Sequence, residues 1–241
     1  MARGFKEPGD KPRRFYKTVQ VSETEGGWGV RLDARELRTP GGARLALPAR
    51  GLAEMVAAEW ESQGETLELA AMGVTRLANT AIDSIPGARE AVAGQVADYA
   101  GSDLLCYFAE EPAALIARQE AAWGPVLARA EAEEGLVLVR ASGIVHRPQP
   151  ERTLRRVVEI ALSLNDFALA GLGFATPLFG SAVLAIAVAR GWLGGEEAFE
   201  LSRLDEVFQE EKWGIDAEAA ERTTARRAEA KMAGAWLALA G

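Results

Sequence analysis

Acids and large aromatics meet most densely at Ser202 to Gly214, S-R-L-D-E-V-F-Q-E-E-K-W-G. Asp205, Glu206, Glu210 and Glu211 surround Phe208 and Trp213 there, just before a helix stop at Gly214. Clustered carboxylates can do three things: acid–base chemistry, cation binding, or provide a charged rim for a binding face. Acid–base work on one bond needs two carboxyls held across a cleft with divergent pKa values. Glu206 and Glu210 stand four apart on one helix, so they repel and point the same way. That geometry suits a shared cation or a basic partner better than hydrolysis. A tryptophan beside acids at a helix end suits an anchor with a charged rim, or a plug that closes the core.

Other chemistry finds little support. The single cysteine, Cys106, lies in the apolar run Leu104 to Phe108 and reads as a buried, inert thiol; with no second cysteine, no intrachain disulfide forms. The single histidine, His146, has no cysteine or histidine neighbour with metal-ligand spacing, so no metal site is expected. Gly26-Gly27-Trp28-Gly29 and Gly171-Leu172-Gly173 lack the residues that complete a phosphate-binding loop. Gly180-Ser181 is not a nucleophile elbow, and Ser181 reads as a small residue at a close helix contact. Asp83, Asp98 and Asp103 read as capping residues. No catalytic residue, cofactor, metal or small-molecule substrate is expected; the alternative is a carboxylate-using hydrolase on an α+β scaffold.

The elements that position these residues fall into two parts. Tyr16–Val21 and Trp28–Leu32 predict a hairpin turning at Glu25-Gly26-Gly27, followed by short strands at Leu37–Thr39 and Arg44–Leu47. A helix from Pro48 to Gln63 carries Leu52, Met55, Val56 and Trp60 on one face, and Leu67–Leu69 reads as a further strand. Helices at 74–85 and 87–100 are expected to break at Pro86-Gly87. Beyond them come helices at Glu111–Glu133, kinked at Gly124-Pro125, and at Thr153–Leu164, with Leu136–Val139 and Ile144–Val145 as a short extended pair between them. The uncharged run Phe167–Ala189 is long enough to cross a bilayer, but Gly171, Gly173, Pro177 and Gly180 interrupt it. It reads as two buried elements parted near Thr176-Pro177, the second a core helix at Leu178–Ala189. Glu196–Lys212 is the acidic helix, with Phe199, Leu201, Leu204, Val207 and Phe208 as its apolar stripe. Asp216 caps a final helix running to Leu239. The fold class is α+β: a disordered tail at 1–12, a small antiparallel β-rich domain at 13–95, and a larger all-helical domain at 96–241.

The chain has 241 residues, 49% hydrophobic and 26% charged, enough for a substantial core. A net charge of −8 argues against nucleic acid or an anionic membrane as partner. The basic N-terminal residues Arg3, Lys6, Lys11, Arg13, Arg14 and Lys17 are interrupted by Glu7 and Asp10 and read as a solvated tail. Met1 to Gln20 holds no apolar signal core, and an Ala-, Gly- and Arg-rich composition points to a bacterial cytoplasmic protein.

Beyond its physics, R-L-D-E-V-F-Q-E-E-K-W-G resembles the C-terminal signature of the ATP12-type assembly chaperones, which hold the α subunit of the ATP synthase F₁ sector. Further matches follow in order: Arg14-Phe15-Tyr16-Lys17 with Val19 and Val21; Leu32 to Pro40, L-D-A-R-E-L-R-T-P; Glu59 to Gln63, E-W-E-S-Q; and Thr75 to Asp83, T-R-L-A-N-T-A-I-D. Asp103 to Tyr107, D-L-L-C-Y, then Gln119 to Pro125, Q-E-A-A-W-G-P, and Gly180-Ser181 complete the series. Each match is short; their shared order makes the resemblance specific. Three positions depart from the family pattern: Ala34 stands for a glycine, Gly73 for a proline and Phe108 for a basic residue. The resemblance implies a non-enzymatic chaperone that binds the unassembled α subunit, prevents its aggregation and leaves when the β subunit arrives, without ATP. It also implies that eukaryotic members are mitochondrial. By motif position Glu206 is the first candidate for partner binding and Asp205 its neighbour, with Glu210, Gln209 and Trp213 completing the face.

Overall fold

The computed structural model describes residues 12–143, 145–214 and 216–241. The expected N-terminal tail therefore lies almost wholly outside the described residues, as does Ile144 of the expected extended pair. The chain divides into two compact units, one ending at Asp83 and the other beginning at Ser84.

In the first unit, β1 (Val19–Thr24), β2 (Gly27–Leu32) and β3 (Arg35–Glu36) form an antiparallel sheet in sequential order, with Val19 opposite Leu32 and Thr24 opposite Gly27. Val30 and Leu32 point inward from β2, the period-two signature of a half-buried strand. Trp28 and Leu47 exchange two 2.8 Å backbone hydrogen bonds. That pairing brings Leu47 so close that a Cβ on Gly27 would lie 2.3 Å from its carbonyl oxygen, so only glycine fits there. The segments expected as strands around Pro40 make isolated bridges instead, Arg38 to Arg44 and Trp28 to Leu47. Ala34 needs no unusual backbone: the left-handed residue of that turn is Asp33, at φ 53°. Its carboxylate accepts from the Lys17 and Thr18 amides, and these bonds hold it below the usual carboxylate range.

Helix α1 (Arg50–Glu61) packs Leu52, Ala53, Val56 and Trp60 onto β1 and β2. The E-W-E-S-Q motif then shows its purpose. Glu59 accepts hydrogen bonds from the Val74 and Thr75 amides, both at 2.7 Å, and from Thr75 Oγ1 at 2.8 Å. A carboxylate thus caps the open N-terminus of α2 (Gly73–Asp83) from a neighbouring helix. Asp83, expected as a cap, is instead a clamp: it accepts from Thr39 Oγ1 at 2.7 Å and Gly41 N at 2.8 Å, closing the Pro40 loop. Leu67–Leu69 is not a strand; Thr66 bridges to Arg13, and Leu69–Ala71 winds into a 3₁₀ turn.

The second unit holds α3 (Ile85–Gly101), α4 (Ala113–Glu134), α5 (Glu151–Ser163), α6 (Asp166–Phe179), α7 (Ala182–Ala189), α8 (Gly195–Ser202), α9 (Leu204–Trp213) and α10 (Ala217–Ala240). It is helical apart from a two-residue parallel pair, β4 (Tyr107–Phe108) with β5 (Ala141–Ser142). Every residue of α7 from Ala182 to Val188 is buried, and α3, α4, α6, α8 and α10 surround it.

Several helix limits differ from expectation, each for a local reason. Pro86 sits in the first turn of α3, where no amide is needed, so the break falls at Ser84. Helix α4 begins at Ala113, after Pro112, and includes Pro125 within its span. Pro177 lies in the last turn of α6, and the chain turns at Gly180, whose φ of 64° is open to glycine. Ser181 then caps α7 by accepting from Leu184 N. The acidic helix is split at Arg203 into α8 and α9. Asp216 caps α10 as expected, accepting from Ala219 N at 2.8 Å. Among the described residues no helix is long and apolar enough to cross a membrane.

Candidate functional site

Helix α9 carries the acidic–aromatic segment, and its neighbours sort the acids. Only Leu204 is buried on it, while Val207 and Phe208 are half-buried. Asp205 is half-buried, and its Oδ1 accepts from Gln119 Nε2 at 2.8 Å. Burial raises the Asp205 pKa, and the Gln119 bond opposes that rise. Glu210 is bound to the guanidinium of Arg203, and Glu211 takes both its oxygens to Arg118 Nη1, at 2.8 and 2.9 Å. Glu206 and Gln209 face solvent, and no cation is paired with Glu206 among the described residues. Trp213 is 85% exposed at the end of the helix, so it does not close the core. Lys212 stacks its ammonium 4.3 Å from the centre of the Phe208 ring.

The five residues therefore play different parts. Glu206, Gln209 and Trp213 form an open surface, whereas Asp205 and Glu210 are engaged inside the protein. Of the two acids four apart, Glu210 is paired with Arg203, and among the described residues Glu206 is the one left without a cation.

Two residues of the Q-E-A-A-W-G-P match position this segment: Gln119 ties α4 to α9, and Trp123 ties α4 to α8. Gln119 and Trp123 stand four apart on α4, and both are fully buried. Gln119 Oε1 accepts from Ala109 N at 2.8 Å while its amide nitrogen donates to Asp205. Trp123 Nε1 donates to Leu201 O at 2.9 Å, and its ring meets Phe108 edge-on at 5.6 Å. A glutamine inside an otherwise apolar stripe was the available signal, because a buried amide demands partners.

A hollow beside α9 is lined by Tyr107, Phe108, Glu110, Glu111, Asp205 and Gln209. Its rim acids Glu110 and Glu111 are exposed. Phe108, where the resemblance led to a basic residue, is 9% exposed and belongs to the wall against Trp123. Nearby, the Cys106 thiol is buried and pushed up to about 12, first by burial and then by Asp103, which keeps it protonated and unreactive. Among the described residues no group of three His, Cys, Asp or Glu side chains could hold a metal ion.

Comparison with known proteins adds three likenesses. Residues 13–131 match the model of the family described as ATP12 chaperone protein. The protein atp12, mitochondrial, of Schizosaccharomyces pombe is 25% identical over 214 residues, covering 84% of this chain and 74% of that one. The crystal structure of Atp12 from Paracoccus denitrificans is 38% identical with a TM-score of 0.87, covering 95% of this chain and 99% of that one. A structure from Agrobacterium tumefaciens is 40% identical with the same TM-score, covering 95% and 86%.

Proposed function

From the premise that this chain belongs to the ATP12 chaperone family, we propose that it holds the unassembled α subunit of the ATP synthase F₁ sector until the β subunit takes its place. It acts as a chaperone, not an enzyme, and its partner is a protein. An isolated α subunit exposes an obligate interface, which is more apolar than ordinary surface and prone to aggregate. A holder must cover that surface and still be displaced.

The observation that carries the reading is the exposed surface of α9, which presents the unpaired Glu206 in its first turn and the solvent-facing Trp213 as its last residue. A solvent-facing tryptophan is a large apolar anchor left without a partner in its own chain. A rim carboxylate orients and speeds encounter with a basic patch while adding little to the dry contact, which favours release. Gln209 extends this face, while Asp205 and Glu210 fix its shape through Gln119 and Arg203. The hydrolase alternative has no support in α9: three of its four acids are tied to Gln119, Arg203 and Arg118.

Mixing the purified protein with isolated α subunit tests the proposal directly. A one-to-one complex and suppressed α aggregation are expected, with α released when β is added. Failure to bind α or any other F₁ component would refute it.

A further inference from the structure

The first unit carries a groove of about 650 Å³ that the α9 face does not involve. Leu37, Pro40, Trp60, Leu69 and Met72 give it apolar walls. Three observations bear on what it takes. Leu69 is 47% exposed, a large aliphatic side chain left in water on the turn Leu69–Ala71. Trp60 is only 7% exposed, yet its Nε1 meets no acceptor, and the Oδ1 of Asn79 is likewise buried with no donor. Both residues line the groove. One orphan is a donor and the other an acceptor, the complement of a peptide group's C=O and N–H. Finally, Arg38 and Arg76 stand in the lining, and among the described residues neither is paired with a carboxylate. Each donates only to a backbone carbonyl, Arg38 to Gly42 O at 2.8 Å and Arg76 to Ala70 O at 3.2 Å. In a chain of net charge −8, two such guanidinium groups beside an apolar groove match an acidic ligand.

We propose that this groove holds an extended segment of the client polypeptide in which a large apolar side chain adjoins an aspartate or glutamate. The inference rests on the chaperone reading and adds a second contact to it. The apolar side chain fills the space between Trp60, Leu69 and Met72, and the client carboxylate meets Arg38 and Arg76. Trp60 Nε1 and Asn79 Oδ1 are sealed from water in the empty groove. The turn Leu69–Ala71 has no side-chain cap and no buried residue, and Arg76 is the side chain that bonds to its backbone. A shift of this turn lets a client peptide group reach both atoms and relieves their lost hydrogen bonds. Recognition by one side chain, one charge and one peptide group accepts many extended segments, as a holder of unassembled chains requires.

A photoreactive p-benzoylphenylalanine placed at Leu69 of the full chain, and separately at the exposed strand residue Glu23, tests this with isolated α subunit as the probe. Cross-linking to α is expected at 69 and not at 23, on an α peptide whose apolar residue adjoins an acid. Arg76→Glu should weaken α binding about tenfold with an unchanged thermal melt, and Arg76→Lys should restore most of it. A complex that forms normally but cross-links at 69 to a second copy of this chain, to an α segment without an acid, or to nothing, overturns the groove assignment and leaves the chaperone reading standing. Absence of any complex would overturn both.

Discussion

Gln119 Nε2 donates to Asp205 Oδ1 at 2.8 Å, a bond between residues 86 positions apart that ties α4 to the helix carrying the acidic face. The same amide accepts from Ala109 N, so one buried side chain sets both the loop before α4 and the rotation of α9. Gln119→Leu keeps the volume but leaves the Ala109 amide and a half-buried carboxylate without partners. A loss of about 1–3 kcal/mol is expected in urea unfolding. Binding of α should weaken as well, because Glu206 and Trp213 are carried on the loosened helix.

Glu206 and Trp213 should behave in the opposite way. Both are exposed and make few contacts in their own chain, so Glu206→Lys and Trp213→Ala should each change stability by less than about 0.5 kcal/mol. Affinity for the α subunit, measured by calorimetry, should fall about tenfold or more for the tryptophan change. The charge reversal should act mainly on the association rate and its salt dependence. Equal loss of folding and binding in either variant would make that residue structural.

Asp103 makes stability depend on pH. It is fully buried and accepts from Leu105 N, Ser181 Oγ and Val183 N, joining the chain before β4 to the start of α7. Burial outweighs those bonds and raises its pKa from 3.8 to about 6. A folded-state pKa above the unfolded value means that the folded protein binds the proton more tightly. This contribution is therefore present below pH 4 and lost as pH rises to about 6, an effect on the order of 3 kcal/mol. Asp103→Asn should abolish that slope in urea titrations run across this range. It should still destabilise the fold at neutral pH, because the amide nitrogen would face the Val183 N–H or another donor.

Helices α8 and α10 cross at glycine. A Cβ on Gly195 would lie 2.0 Å from Ala230 O, and one on Gly234 would lie 2.6 Å from Gly195 N. Both obstacles are backbone, so no rotamer relieves them. Gly195→Ala should cost about 1–3 kcal/mol or more and lower the melting temperature. Gly94→Ala, where a Cβ meets nothing within 4 Å, should be neutral or stabilising.

Local rules carried far where the physics is local. The hairpin at Gly26-Gly27, the Asp216 cap and the all-apolar helix before Ala189 follow from turn chemistry, capping and hydropathy. The same rules misplaced the break between α6 and α7. Proline near a helix end removes a single amide, whereas the left-handed glycine at 180 reverses the chain. They also joined α8 to α9, because the turn at Arg203 carries neither glycine nor proline.

The sequence by itself determined the two-part α+β architecture, the acidic–aromatic segment and, through motifs in a shared order, the chaperone family. Only the tertiary structure decided which acids remain free. Helical spacing places Asp205, Glu206, Glu210 and Glu211 on their own helix, but it cannot say that Gln119, Arg203 and Arg118 claim three of them. Gln119 and Arg118 come from α4, and pairing across such distances is set by how the helices pack; Arg203 reaches Glu210 locally, from the turn before α9. The same packing leaves Trp213 in solvent, a side chain whose burial helical spacing alone does not decide.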